Sequence, residues 1–389
     1  MTAEPLTLAP LTLTPVAPKR RVTGLDSLRG FALLGVLIVN VYQVYAEVFT
    51  QTDMQVSDQI RLLGEGTFYP IFSLLFGFGF ALQLAKGEAA LPLFRRRLLF
   101  LLLFGLVHGV FIWEGDILSS YALIGFLLAA LYRWPRPLLL LLVIAGWALS
   151  FVLLSPLIED ASIYIDNDAL YASGSYWAIT RVRAVAFADS LIGGLLAFSG
   201  FILGLFILGF LLGRRGVDKV MSDKRLLWLT LLFSLAVAVP LLRAYYQGRS
   251  WGIPGEWWFV LEYLIASPFL GFAYLAGLSL FMLTSFGAAL MKPFSYVGRM
   301  ALSNYLGQSV ICTLIFYGYG LGRLGELGTL TSLYISLALF LGQMIFSYLW
   351  LLRFRYGPME WLWRSLTYSK VQPIRYPLRE NSNITYVER

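Results

Sequence analysis

FRRRLLFLLLFGLVHGVFIWEGDILSSYALIGFLLAALY, residues 94–132, sets two long apolar runs on either side of one short polar link. Each run approaches the roughly 20 residues needed to cross about 30 Å of hydrocarbon at 1.5 Å of rise per residue. The link WEGDI is too short to be anything but a tight connection, so the pattern predicts two antiparallel membrane helices. Three arginines open the first helix and a lone histidine sits near its far end.

The same reading extends along the chain. Of its 389 residues, 58% are hydrophobic and only 13% charged, outside the range of soluble proteins. Apolar stretches at about 25–46, 66–85, 94–113, 117–132, 136–155, 187–213, 226–243, 260–290, 295–318 and 330–353 predict an all-α, polytopic transmembrane bundle of ten spans. With the amino terminus inside, every one of the 30 basic residues except Arg61, Arg181, Arg183, Arg243, Arg249 and Arg323 falls on the cytoplasmic side. That asymmetry is the positive-inside rule, and it requires both termini to be cytoplasmic. The net charge of +8 therefore points to membrane orientation and lipid headgroups, and no nucleic-acid partner is expected.

Residues 1–20 are expected to be a disordered tail, 21–370 a single transmembrane bundle and 371–389 a polar tail. The first residues lack the basic start and apolar core of a cleaved signal peptide. The connection at about 156–186, with Glu159, Asp160, Asp166 and Asp168, is the one long outer loop. One cysteine, Cys312, excludes an internal disulfide, and one histidine cannot build a histidine-rich metal site, so no metal is expected. There is no Walker loop or HExxH to suggest an ATPase or zinc peptidase.

Polar side chains within the spans carry the functional information, because each is costly in hydrocarbon without a partner. Asn40 lies roughly 22 Å along the first span and His108 roughly 16 Å beyond Arg97. Gln308 and Gln343 fall near mid-membrane, and Asn304 shares a face with Gln308 at i, i+4. These residues could line one chamber, or each could tie two helices together. An imidazole suits acyl transfer, since it accepts a proton at neutral pH. Its orienting carboxylate is expected from Glu114 or Asp116, folded back by a break at Gly115. Arg95, Arg96 and Arg97 could receive the phosphates of coenzyme A, or serve only the positive-inside asymmetry.

LDSLRGFALLGVLIVNV (25–41), FYPIFSLLFGFGFAL (68–82) and RRRLLFLLLFGLVHGVFIWEGDILSSYALIG (95–125) resemble the YeiB-type bacterial membrane proteins. GRMALSNYLGQSVICTLIFYGYGLG (298–322) and RFRYGPMEWLWRSLTY (353–368) are similar to their carboxy-terminal region, domain of unknown function 418. More distantly, the LD..RG......VN pattern resembles the first span of the heparan-α-glucosaminide acetyltransferase family, which divides the bundle into an acyltransferase-like part, 21–155, and a family-specific part, 187–370. That resemblance implies transfer of an acyl group from cytosolic acyl-coenzyme A, a co-substrate rather than a bound cofactor, to a sugar or lipid acceptor at the outer face. It also implies a bacterial inner-membrane location and places Asn40 in the active site. The relatives' catalytic histidine follows that asparagine closely. Here VYQVYAEVF (41–49) stands instead, and His108 comes from another span. The alternative class is a secondary transporter whose buried amides and histidine bind solute or relay protons.

Overall fold

The computed structural model describes residues 23–87, 90–159, 168–246 and 255–376. The 1–20 tail, the end of the polar tail, Arg249, Asp160 and Asp166 lie outside the described residues, as do the side chains of Glu159 and Asp168. The described elements are helical, with two isolated β-bridges between loops.

Sixteen helices follow one another among the described residues: α1 Thr23–Tyr45, α2 Gln51–Gly64, α3 Phe68–Leu84, α4 Ala90–Phe111, α5 Leu118–Leu131, α6 Arg136–Glu159, α7 Asp168–Ser173, α8 Tyr176–Gly213, α9 Val217–Ser222, α10 Lys224–Tyr246, α11 Gly255–Leu261, α12 Ser267–Met282, α13 Ser285–Arg299, α14 Ala301–Phe316, α15 Thr329–Arg353 and α16 Pro358–Tyr368. A π-helical turn, Glu262–Ala266, joins α11 to α12. Seven segments are long and apolar enough to cross a membrane, and α5 and α14 are shorter apolar helices. These segments mark a membrane protein. Their outward faces carry large apolar side chains in the open, such as Leu103, Ile144, Phe233 and Ile345, as a lipid-facing surface requires.

Helix association in lipid draws little from the hydrophobic effect, so close backbone contact must supply it. Glycines provide that contact. A Cβ on Gly30 of α1 would lie 2.0 Å from the Phe294 carbonyl of α13, and one on Gly298 would lie 1.8 Å from the Asp26 carbonyl. Gly77 and Gly209 do the same between α3 and α8, and Gly146 meets Gly200 between α6 and α8. Gly77 of FGFGF and Gly200, Gly209 and Gly213 of GFILGLFILGFLLG are thus packing residues.

Two expected spans are corrected. The eighth, 260–290, stops at Met282, because Thr284 restarts the chain by accepting from the Gly287 N–H at 3.0 Å. The ninth, 295–318, is broken at Met300, whose φ −114, ψ 33 is not helical, so α13 and α14 are separate helices. Apolar composition runs across both breaks, so hydropathy alone merges them. α8 also begins at Tyr176, eleven residues before the expected 187.

The start of α14 is satisfied from another helix. Glu360 of α16 accepts from the Leu302 N–H at 2.7 Å, the Ser303 N–H at 3.0 Å and the Ser303 hydroxyl at 2.5 Å. Burial pushes the Glu360 carboxyl above its ordinary range, and these donors pull it back. The first six residues of the polar tail, 371–376, return to the same region: the Arg355 N–H donates to Ile374 and the Trp361 indole to Gln372. Glu360→Ala should lower the thermal midpoint of the detergent-solubilised protein by several degrees, for a loss of about 2 kcal/mol. Glu360→Gln, which keeps an acceptor oxygen, should lose less. An unchanged midpoint in the alanine variant would remove the cap from the list of structural supports.

Candidate functional site

His108 lies on the last turn of α4 and is 1% exposed. α4 ends at Phe111, and the link 112–117 folds back so that Asp116 Oδ1 lies 2.9 Å from His108 Nδ1. The same carboxylate accepts from the Ser119 N–H through Oδ2 at 2.8 Å, capping α5. Gly105, three residues before His108, makes the return possible, because a Cβ there would lie 2.7 Å from Asp116 Oδ2 and 2.4 Å from the Ser119 hydroxyl. At Gly115 a Cβ would strike the Trp113 indole at 2.4 Å. Of the two expected carboxylate partners, Asp116 is the one in contact with the imidazole.

An ionised carboxylate can only accept, so Nδ1 carries the proton in this pair. Nε2 of the neutral ring is then the basic atom, and it is buried without a hydrogen-bond partner. Tyr305 packs on the imidazole at 5.2 Å and Trp113 meets it edge-on at 6.3 Å between ring centroids.

Those two aromatic rings also line a narrow cleft of about 20 Å³, room for little more than a water molecule. Its other walls are Leu37, Asn40, Val41 and Tyr45 of α1, and Gln308, Ser309 and Cys312 of α14. Asn40 therefore faces the bundle interior, where the Tyr69 hydroxyl donates to its Oδ1 at 3.2 Å. The expected sharing of one cavity by Asn40 and His108 is corrected in one respect: His108 is not in the lining. Tyr305 and Trp113 stand between the imidazole and the cleft.

Of the expected chamber amides, Gln308 lines the cleft and the others do not. Gln308 Nε2 donates to Gln343 Oε1 at 2.8 Å, and Gln343 Nε2 donates to the Asn304 carbonyl at 2.9 Å. Asn304 Nδ2 donates to Val297 and to the Ser347 hydroxyl. Asn304 and Gln343 thus form a ladder between α14 and α15 whose donors already have acceptors.

At the opposite end of α4, Arg95 is exposed. Arg96 bonds to the Ser369 hydroxyl beyond α16. Arg97 donates to Gln83 at 3.0 Å and lies 4.4 Å over the Trp363 ring, whose indole in turn donates to the Arg97 carbonyl at 2.9 Å. The pair Asp26–Arg29 closes at 2.9 Å on the first turn of α1, as its i, i+3 spacing suggests.

Glu114 does not reach the histidine. Its carboxylate is 3.6 Å from Nε of Arg183, which is completely buried on α8. Burial pushes the Glu114 carboxyl above its usual range, against Arg183, which pulls it down. Arg183 escapes a reading from sequence because it falls in an expected loop. The signal that could have placed it is the absence of glycine and proline from 176 to 187, which lets the helix start earlier.

Known proteins match the sequence of this chain along nearly its full length. Residues 212–370 match the family described as "Protein of unknown function (DUF418)". The chain is 31% identical to the uncharacterized protein YxaH of Bacillus subtilis (strain 168), over 93% of this chain and 98% of that one. It is 30% identical to an uncharacterized 39.9 kDa protein from the amylase 3′ region of Bacillus acidopullulyticus, with the same coverage. To the uncharacterized protein YeiB of Escherichia coli (strain K12) it is 29% identical, over 91% of this chain and 98% of that one.

A single histidine makes the dyad directly observable by nitrogen NMR of histidine-labelled protein. The wild type should show one imidazole protonated at Nδ1. In Asp116→Asn the amide oxygen can keep the Ser119 N–H while its NH₂ faces the ring, so the proton should move to Nε2. An unchanged tautomer in that variant would show that Asp116 does not set it.

Proposed function

The chain belongs to the YeiB-type family of bacterial proteins that carry the DUF418 region, and we propose that it acts as a transmembrane acyltransferase. In this reading it sits in the bacterial inner membrane with ten spans and both termini in the cytoplasm. It takes an acyl group from cytosolic acyl-coenzyme A and passes it to a hydroxyl or amine acceptor, on a sugar or lipid, at the outer face. The observation that carries the proposal is the buried His108–Asp116 pair with Nε2 left basic and unpartnered.

The chemistry follows from the atoms present. His108 Nε2 takes the proton from the acceptor as its oxygen or nitrogen attacks the thioester carbonyl carbon. The tetrahedral adduct collapses with cleavage of the C–S bond, and the proton on Nε2 passes to the departing thiolate. Asp116 holds the ring in the required tautomer and offsets the charge it gains between the two transfers. Asn40 and Gln308 offer amide groups in the adjoining cleft, suited to the carbonyl oxygen of the adduct. The rings of Tyr305 and Trp113 must shift to admit substrate to Nε2. On the inner side, Arg95, Arg96 and Arg97 suit the phosphates of the donor, roughly 16 Å of α4 below His108.

Acyl transfer from radiolabelled acetyl-coenzyme A, supplied only to the cytoplasmic face of membrane vesicles, tests the enzyme. His108→Gln should fold normally and lose at least about a hundredfold in transfer rate. Full transfer by that variant would exclude His108 as the base, whereas solute uptake without any acyl transfer by the wild type would replace this reading with the transporter. For topology, a cysteine introduced between 160 and 167 should react with an impermeant maleimide in intact cells, since buried Cys312 leaves no competing exposed thiol. Protection of that site from outside would invert the orientation.

A further inference from the structure

Arg183 is the largest polar side chain that the histidine chemistry leaves unexplained. Its side chain is 0% exposed, and Nε, Nη1 and Nη2 all lack a hydrogen-bond partner among the described residues. Its nearest carboxylate, Glu114, stands 3.6 Å from Nε, beyond a good hydrogen bond, and on one side of the guanidinium only. A guanidinium has five N–H donors, and burying them unmatched is among the most costly arrangements a bundle can hold.

The surroundings share the same feature. Thr180, one turn earlier on the same face of α8, is buried with its hydroxyl unpartnered. The Tyr171 hydroxyl on α7 is likewise buried and makes no close hydrogen bond, with the Glu114 carboxylate its nearest polar neighbour. Tyr317 covers one face of Arg183, with the guanidinium carbon 5.5 Å from its ring centroid, and Tyr171 packs on Tyr317 at 4.8 Å. Two elements, α7 and α8, thus bring these donors to one place. The location adjoins the histidine: Phe187, one turn after Arg183, packs where a Cβ on Gly109 would lie, beside His108. Tyr45, which also lines the cleft, meets Tyr317 edge-on at 5.7 Å. The Glu114 side chain retains 25% exposure and so forms the rim.

We propose that Arg183, with Thr180 and Tyr171, is an anion subsite that holds a monoanionic oxyacid group, a carboxylate or phosphodiester, on the acceptor molecule. Tyr317 blocks approach from one face, so the ligand enters in the guanidinium plane and meets the Nη1–Nη2 edge with two parallel hydrogen bonds. Glu114 already places one negative charge beside Nε, which admits a single further charge and disfavours a dianion. Only the words "on the acceptor" rest on the acyltransferase reading. The anion subsite itself stands on the donors.

The test uses the full-length protein in nanodiscs, with thermal midpoint as readout at constant ionic strength. The probes are sodium glucuronate and sodium dimethyl phosphate, with glucose as the neutral control and phosphatidylglycerol nanodiscs compared with phosphatidylcholine nanodiscs. At least one anionic probe should raise the midpoint of wild type, while glucose should not. A response to phosphatidylglycerol alone identifies a lipid headgroup as the source, and a response to soluble anions identifies a free acceptor. Arg183→Gln should abolish the rise. Without ligand, Arg183→Leu should be as stable as wild type or more so, because it removes unmatched donors, whereas a structural arginine would cost several degrees. Should Arg183 variants fail to fold, Glu114→Gln decides, since loss of the competing carboxylate should tighten anion binding several-fold. His108→Gln should bind the anions as wild type does, which separates failure of the subsite from failure of the chemistry. The proposal is overturned if no anion stabilises wild type, if Arg183→Gln responds equally, or if Glu114→Gln binds no more tightly.

Discussion

The arrangement depends on one carboxylate used from two sides. Asp116 Oδ2 accepts the Ser119 N–H and so closes the start of α5, while Oδ1 holds the imidazole of α4. Without water in the hydrocarbon, the first N–H groups of a helix must find an acceptor from the protein. Asp116 answers that demand, and because its cap fixes it, the second oxygen is aimed at His108 without freedom to turn away. The geometry of the histidine–aspartate pair is thus a by-product of a backbone requirement. Gly105 is the condition for both, since any larger residue would occupy the space of the carboxylate.

The same device recurs elsewhere in the bundle. Glu360 of α16 closes the start of α14, and Asp53 of α2 accepts the Leu330 N–H at the start of α15 while also capping its own helix through Thr50. Each carboxylate ties one helix start to another element. Glycine pairs then set the distances between long helices. A few acids and glycines specify the packing, and the leucine-rich outer faces are free to meet lipid.

Much of this was legible because a membrane imposes length and polarity rules on every span. Each expected apolar segment contains a helix, and the costly polar residues Asn40, His108 and Gln308 turn inward. What hydropathy could not show were breaks made by single residues. Thr284 and Met300 divide runs that are apolar on average, and a cap or one backbone angle leaves little trace in composition. The fate of each buried amide was also hidden. Asn304 and Gln343 satisfy one another's helices, whereas Gln308, on the same face as Asn304, reaches the cleft. Which of two equivalent positions meets a neighbour depends on the distance between helices, which composition does not record.

His108 and Arg183 illustrate two different ways to hold a basic group in a bundle of low polarity. The imidazole has Asp116 on Nδ1, and that carboxylate is matched on its other oxygen by a backbone donor. The guanidinium cannot be neutralised at any ordinary pH, and its one carboxylate is too distant to satisfy it. A group that is always charged, fully buried and unmatched raises the energy of the unliganded protein. That cost persists only where something offsets it, and here the neighbouring hydroxyls of Thr180 and Tyr171 set the chemistry of what can do so. Phe187, one turn after Arg183 on α8, packs against Gly109 of α4, so the surroundings of the buried arginine and of the imidazole meet at one ring.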